Sequence, residues 1–222
     1  MKARVISFSQ PKDEELGLET LDDFVAYVAR VSNPSNQHNT ATSEKLIKYL
    51  IDHKHWSPFE MAHVTMEITT TRDIARQILR HRSFSFQEFS QRYADPTKDL
   101  GFTTRDARLQ DTRNRQNSIP TNDVTLHERW EQLQRAVIDE CRGAYDWAIE
   151  NGIAKEQARA VLPEGLTLSR LYMAGSLRSW IHYCQLRMSR ETQKEHREVA
   201  TDCWYMLIKL CPCLKELNLI AP

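Results

Sequence analysis

Glycine is scarce in this chain, six among 222 residues, and no glycine-rich loop is present to build a Walker-type or dinucleotide-binding backbone cradle. Any phosphate must therefore be held by side chains. Cysteine is sparse as well. Cys141, Cys184, Cys203, Cys211 and Cys213 are odd in number and confined to the second half, as expected of reduced thiols in a cytosolic protein rather than of a disulfide framework. No metal is expected: Cys211-Pro212-Cys213 lacks a second ligand pair at short spacing, and His53, His55 and His63 have no evident carboxylate behind them. Net charge is absent, with 30 Lys plus Arg against 30 Asp plus Glu, so no global field favours nucleic acid. Long apolar runs are missing too, and Met1-Lys2-Ala3-Arg4 opens no signal-peptide core. A cytoplasmic protein without a membrane partner is the expectation. No repeat, low-complexity tract or Gly/Ser linker divides the sequence, which suits one domain, 1–222, with a real core.

What the chain does have is a concentration of chemistry between Arg80 and Tyr93. Arg80, Arg82 and Arg92, with Ser83, Ser85, Ser90, His81 and Glu88, are crowded among Phe84, Phe86, Phe89 and Tyr93. Arginine forks match phosphate oxygens in pairs, and serine hydroxyls complete the hydrogen bonds. Glu88 then orients the arginines or accepts from a base or sugar hydroxyl. The competing account is a surface ion-pair network at a helix end, against which three flanking phenylalanines argue.

Around this cluster the periodicities are legible. Val5, Ile6 and Phe8 suggest an opening strand, and apolar residues at 21, 24, 25, 28 and 31 predict a helix over 21–31, with Ser32 as its polar cap. Residues 33–42 are expected to loop, and 43–53 to form a helix with Leu46, Ile47, Leu50 and Ile51 on one face. Ser57 and Glu60 fit a capping box with Pro58 at the first helical position. Ala62, Val64, Met66 and Ile68 alternate with polar neighbours, a half-buried strand. Thr70 or Thr71 then caps a helix from 72 to about 81, on which Gln77 and Arg80 project toward one ligand. Arg80 to Arg82 thereby fall at a helix C-terminus, where the dipole alone favours cations. The polar, basic stretch 94–124 is expected to be an excursion loop, able to close over a polyanionic substrate. A long amphipathic helix is predicted over 125–151 with Leu126, Trp130, Leu133, Val137, Ile138 and Cys141 on its apolar side. A short helix over 155–162 carrying Arg159, a strand over 166–173 and a helix over 177–187 opened by Ser176 follow. Arg178, His182 and Leu186 form one stripe on that helix, and a last helix is expected over 191–211.

Arg80-His81-Arg82, seven residues, then Ser90 and Arg92-Tyr93 resembles the signature of flavin-dependent thymidylate synthases, R-H-R, seven residues, S. One departure is Gln87, where the family usually has asparagine before the glutamate; the amide is kept with a longer reach. The resemblance runs from Ala29-Arg30-Val31-Ser32 to Gln193 and includes the His55 to Glu60 segment, Arg159-Ala160-Val161-Leu162-Pro163 and Ser176 to Arg187.

The resemblance implies an α+β fold of the thymidylate synthase-complementing type, with a small sheet and several long helices. By position it implies a dUMP site of Gln77, Ile78, Leu79, Arg80, Glu88, Phe89, Ser90, Gln91, Arg92, Arg159 and Arg187. It implies an FAD site of Ser57, Arg80, His81, Arg82, Glu88, Ser176, Leu177, Arg178 and His182, with Ser32 near the flavin. Asparagine is frequent in the family where Ser176 and His182 stand, and the role of a flavin-contacting histidine that aligns with Glu191 is not carried over. The implied reaction is reductive methylation of dUMP to dTMP, with methylenetetrahydrofolate giving the carbon unit and NADPH reloading FAD, in a homotetramer with shared sites. Arg187 is the candidate catalytic residue, a cation beside a ring carbonyl that raises the nucleophilicity of C5. No cysteine nucleophile is required. Two rivals stand beside this reading. A cysteine-dependent thymidylate synthase needs a thiol in an electropositive pocket. An RNA- or nucleotide-binding module would use Arg80 to Tyr93 for phosphates and the three phenylalanines as stacking platforms.

Overall fold

Alternation sets up the two opening strands. In the computed structural model, which describes residues 2–217 and 219, β1 (Lys2–Phe8) pairs antiparallel with β2 (His63–Thr71). Between them lie α1 (Leu21–Ala29), N-capped by Thr20, and α2 (Ser43–Asp52). Helix α1 stops two residues early. Arg30 and not Ser32 is its cap residue, and the Arg30 guanidinium turns back to Asn39 O at 2.6 Å and Thr42 Oγ1 at 2.9 Å. The expected loop holds two 3-10 turns, Pro34–Asn36 and Thr40–Thr42. The capping box does not form: Ser57–Glu60 is a 3-10 turn with Trp56 at its N-cap, and Glu60 reaches instead to Arg178 Nη1 at 2.8 Å.

Next come α3 (Arg72–Ile78), β3 (Ser85–Glu88), α4 (Pro96–Asp99), the β4 (Arg108–Gln110) and β5 (Ser118–Pro120) hairpin, and α5 (Val124–Glu150). They are followed by α6 (Lys155–Ala158), β6 (Leu168–Ser176), α7 (Leu177–Arg187) and α8 (Lys194–Leu210). The main sheet has the order β1-β2-β6-β3, every pair antiparallel. Val64, Met66 and Ile68 of β2 share its inner face with Leu171 and Met173 of β6, because Met66 pairs with Met173 and Ile68 with Leu171. That face forms one core with residues of α1, α2, α7 and α8, and Trp180 ties α7 to β2 by donating to Val64 O at 2.9 Å. The outer face bears Arg4, Glu67, Tyr172 and Gln87, and there Tyr172, Ser85 and Gln87 are exposed.

Four further expectations are corrected. Helix α3 ends at Ile78, because the chain must turn through Arg80 to Arg82 to lay β3 against β6. Strand β6 extends to Ser176, since Ala174, Gly175 and Ser176 pair with Thr65, Val64 and His63 although small residues carry little strand signal. Gly175 is needed there: a Cβ would lie 2.5 Å from the Phe84 ring. The stretch 94–124 is not a bare loop, for it holds α4 and a hairpin. In α5, as expected a long helix, Leu126, Trp130, Leu133 and Val137 stay 38–46% exposed. Its buried side carries Gln134, Ile138, Tyr145 and Ala148. Gln134 decides this rotation by accepting from Arg105 N at 2.8 Å and donating to Arg105 O at 2.9 Å.

Candidate active site

The signature occupies the turn after α3 and the edge strand β3, whose register places Phe86 opposite Met173 and Glu88 opposite Leu171. Two of its phenylalanines pack inward: Phe84 lies edge-on to Trp180 at 4.9 Å, and Phe84 and Phe86 flank the main core. They are not free stacking platforms, which removes the support for the RNA-module rival. Because β3 lies against β6, and β6 runs straight into α7, the two distant halves of the predicted site meet. Arg187 Nε donates to His81 Nε2 at 2.9 Å. Burial and the neighbouring cations Arg187 and Arg80 push the His81 imidazole down to about 4, so it accepts as a neutral base.

At the other end of α7 the predicted flavin residues gather. A cleft of 480 Å³ is lined by Glu60, His63, Arg82, Ser83, Phe84, Ser85, Ala174, Gly175, Ser176 and Ser179. Ser176 Oγ accepts from Ser179 N and so caps α7. Glu60, held below the usual carboxylate range by the Ser176 hydroxyl and by Arg178, forms an ion pair with Arg178 at 2.8 Å. His182 is exposed and set edge-on to Trp56 at 5.1 Å, and the partial desolvation of its ring together with Arg178 lowers its imidazole from the usual value. Ser57 is exposed in the 3-10 turn beside Trp56. Leu177, wholly buried, can offer a ligand only its backbone.

The predicted nucleotide residues divide into two groups. Gln77, half-buried, bonds to Gln193 at 3.0 Å and to His196 at 3.2 Å. Ile78 belongs wholly to the core, Leu79 is half-buried, and Arg80 is exposed with no ion pair among the described residues. On the far side of β3, Arg92 Nε stands 3.7 Å from Glu156 Oε2 while Arg159 Nε donates to Glu156 O at 3.3 Å, so α6 collects both arginines. Phe89 and Ser90 lie half-buried between, and Gln91 is 4% exposed with Nε2 lacking any partner. Glu88 is not loose in the cleft. Its Oε1 accepts from Ser169 Oγ at 2.8 Å and lies 3.6 Å from Arg72.

Sequence reasoning missed Arg72, which faces Glu88 and is itself held by Glu164, and the buried pair Tyr183 and His196 behind His81. Nothing in spacing distinguished Arg72, Tyr183 and His196 from ordinary helix residues, or Glu164 from an ordinary turn residue. The cysteines are remote from this chemistry: Cys184, Cys203, Cys211 and Cys213 are buried with thiols raised by desolvation, and Cys141 lies on α5. None sits in the electropositive setting a nucleophilic thiol needs.

An antiparallel sheet with helices packed on one face, and a glycine-poor cluster of arginines and hydroxyls at its edge, define the class: a mixed α/β protein with an anion-type site made of side chains. A family profile described as thymidylate synthase complementing protein matches residues 18–213. A flavin-dependent thymidylate synthase of Synechocystis sp. is 47% identical over 216 residues, covering 96% of each chain. A protein of Paramecium bursaria Chlorella virus 1 named "Probable flavin-dependent thymidylate synthase" is 46% identical, covering 97% of this chain and 98% of its own. Among solved structures, a UMP/dUMP methylase, PolB, from Streptomyces cacaoi bound with 5-Br dUMP superposes with a TM-score of 0.80 at 26% identity, covering 100% of this chain and 97% of its own. The chain belongs to the flavin-dependent thymidylate synthase family.

Proposed function

We propose that this protein is the thymidylate synthase of its family in the full sense: residues 1–222 act as one domain that methylates dUMP to dTMP. Methylenetetrahydrofolate supplies the carbon and NADPH is the reductant, in the cytoplasm. The observation that carries the reading is the Arg187–His81 contact of 2.9 Å. A guanidinium hydrogen-bonded to a neutral imidazole keeps its full charge and its remaining N–H donors for a ring carbonyl. In a dry pocket a cation there stabilises the electron-rich form of the uracil ring, which makes C5 nucleophilic without a protein thiol. Arg80, Arg92 and Arg159 are the phosphate-facing cations, with Ser90 and Gln91 completing the oxygens' partners; Gln77, Glu88 and the backbone of Ile78, Leu79 and Phe89 frame the base and sugar.

The cleft suits the flavin. Arg82 with the hydroxyls of Ser83, Ser85, Ser176 and Ser179 is the donor set that a pyrophosphate requires. Ser57, His81, Leu177, Arg178 and His182 would line the remainder. Bound FAD supplies the hydride. The exposed outer sheet face and the half-exposed stripe of α5 support a homotetramer in which neighbouring copies complete each site. A visible spectrum of the purified protein tests flavin binding, and dTMP formation from dUMP tests the reaction; colourless protein with no turnover sinks the proposal. Mixing Arg80→Ala with Arg178→Ala protein tests the shared site: Arg82 and Ser176 line one cleft within a single copy, so restored turnover would mean that Arg80 and Arg178 of a working site come from different copies, and no restoration would mean that one copy supplies both.

A further inference from the structure

Behind Gln77 four hydrogen bonds join end to end from Glu195 to Tyr183. Glu195 Oε2 accepts from Gln193 Nε2 at 2.9 Å, and Gln193 Oε1 accepts from Gln77 Nε2 at 3.0 Å. Gln77 Oε1 lies 3.2 Å from His196 Nδ1, and His196 Nε2 lies 3.2 Å from Tyr183 Oη. The carboxylate at one end sets every direction, because it only accepts. Gln193 must turn its amide nitrogen to Glu195 and its carbonyl to Gln77. Gln77 must then give its nitrogen to Gln193, which leaves its carbonyl facing His196. A carbonyl needs a donor, so Nδ1 carries the imidazole proton, Nε2 is bare, and the Tyr183 hydroxyl donates to it.

His196 is 0% exposed and sits on α8 among Val199, Ala200 and Cys203, which are equally buried and otherwise fill that face with small or apolar groups. Packing alone does not call for an imidazole there. Burial, Arg187 and His81 hold it neutral, down to about 3, in agreement with the single tautomer that the line requires. The Tyr183 ring in turn lies edge-on to His81 at 5.0 Å.

We infer that His196 is a positioning residue: as the Nδ1–H tautomer it locks the Gln77 amide in one orientation and, through Tyr183, steadies the imidazole to which Arg187 donates. The inference rests on the reading of Gln77 and Arg187 as nucleotide-facing. An amide free to flip presents a substrate with donor and acceptor in either order, whereas a locked one presents a single pattern.

The test combines spectroscopy with kinetics on the flavin-loaded protein. Nitrogen NMR of labelled histidine is expected to show His196 with a protonated Nδ1 and a bare Nε2, unchanged between about pH 8 and about pH 5. His196→Leu is expected to raise KM for dUMP about tenfold, with a smaller effect on kcat and flavin content intact, since about one orienting hydrogen bond is lost. His196→Asn, whose amide nitrogen overlies Nδ1, is expected to recover most of that loss. The opposite tautomer, or equal KM values in the Leu and Asn variants, overturns the inference. Gln77→Ala separates it from the reading beneath: an unchanged KM brings down both, while a raised KM in Gln77→Ala with none in His196→Leu brings down the positioning role alone. Should His196→Leu not fold, Gln193→Leu removes the other anchor of Gln77 and is expected to raise KM similarly; no rise overturns the inference.

Discussion

The two ends of α3 treat arginine in opposite ways. At its start, Arg72, with a side chain 7% exposed, stands 3.6 Å from Glu88 and 3.3 Å from Glu164. Arg76 shares Glu164 at 3.2 Å, and Asp73 holds Arg105 at 2.7 Å. Just past its other end, Arg80 and Arg82 form no ion pair among the described residues, and Arg187, delivered by α7, bonds to an imidazole rather than a carboxylate. In a chain with 30 acids and 30 Lys plus Arg, unmatched cations brought together this closely mark where the counter-charge must come from outside. Matched guanidiniums hold the framework, and unmatched ones wait for a ligand.

The largest effect that would sharpen this contrast is on turnover. Arg187→Ala is expected to lower dTMP formation roughly 100- to 1000-fold while leaving the thermal midpoint near the parent's. A large fall in midpoint would put Arg187 with the framework cations. Next comes Arg72→Ala, which strands Glu88 half-buried and is expected to cost about 3 kcal/mol in denaturant unfolding. Arg80→Ala should stay within about 0.5 kcal/mol of the parent in the same assay, yet weaken dUMP binding by roughly 1.5 to 3 kcal/mol. Equal unfolding curves for the two variants would break the comparison. A smaller effect follows from pH. Native His81 is lowered from 6.5 to about 4, so the unfolded chain binds the proton first and stability falls as pH drops through that window. Stability from this source is fully present above about 6.5, and His81→Asn should make the slope between about 6.5 and about 4 shallower, leaving the part that His196 contributes. The smallest effect is expected from Arg76→Ala, whose half-exposed pair with Glu164 is worth at most about 1 kcal/mol.

Much of this contrast was legible in the sequence, but unevenly. The signature named Arg80, His81 and Arg82 because their spacing is chemical and survives any error in secondary structure. The helices around the core were legible from period, as with Leu46, Ile47, Leu50 and Ile51 on α2, since burial of one face dictates it. Strand β3 was not expected, because at four residues, Ser85–Glu88, its ladder to β6 outweighs a local composition that promises a loop. The exposed stripe on α5 misled for the opposite reason: periodicity announces an apolar face without saying whether the same chain covers it. Framework pairs such as Arg72 with Glu164 were invisible, since partners so far apart leave no local pattern.

The sheet order has a kinetic consequence. Strand β6 lies between β2 and β3, yet β2 is complete at Thr71 and β3 at Glu88, whereas β6 begins only at Leu168. Both strands must therefore wait, unpaired on the sides that β6 will fill, while α5 and α6 are made. Closing such long loops before any contact rewards them makes sheet formation a late and slow step. During synthesis, this places the risk of non-native edge pairing in the interval before Leu168 appears.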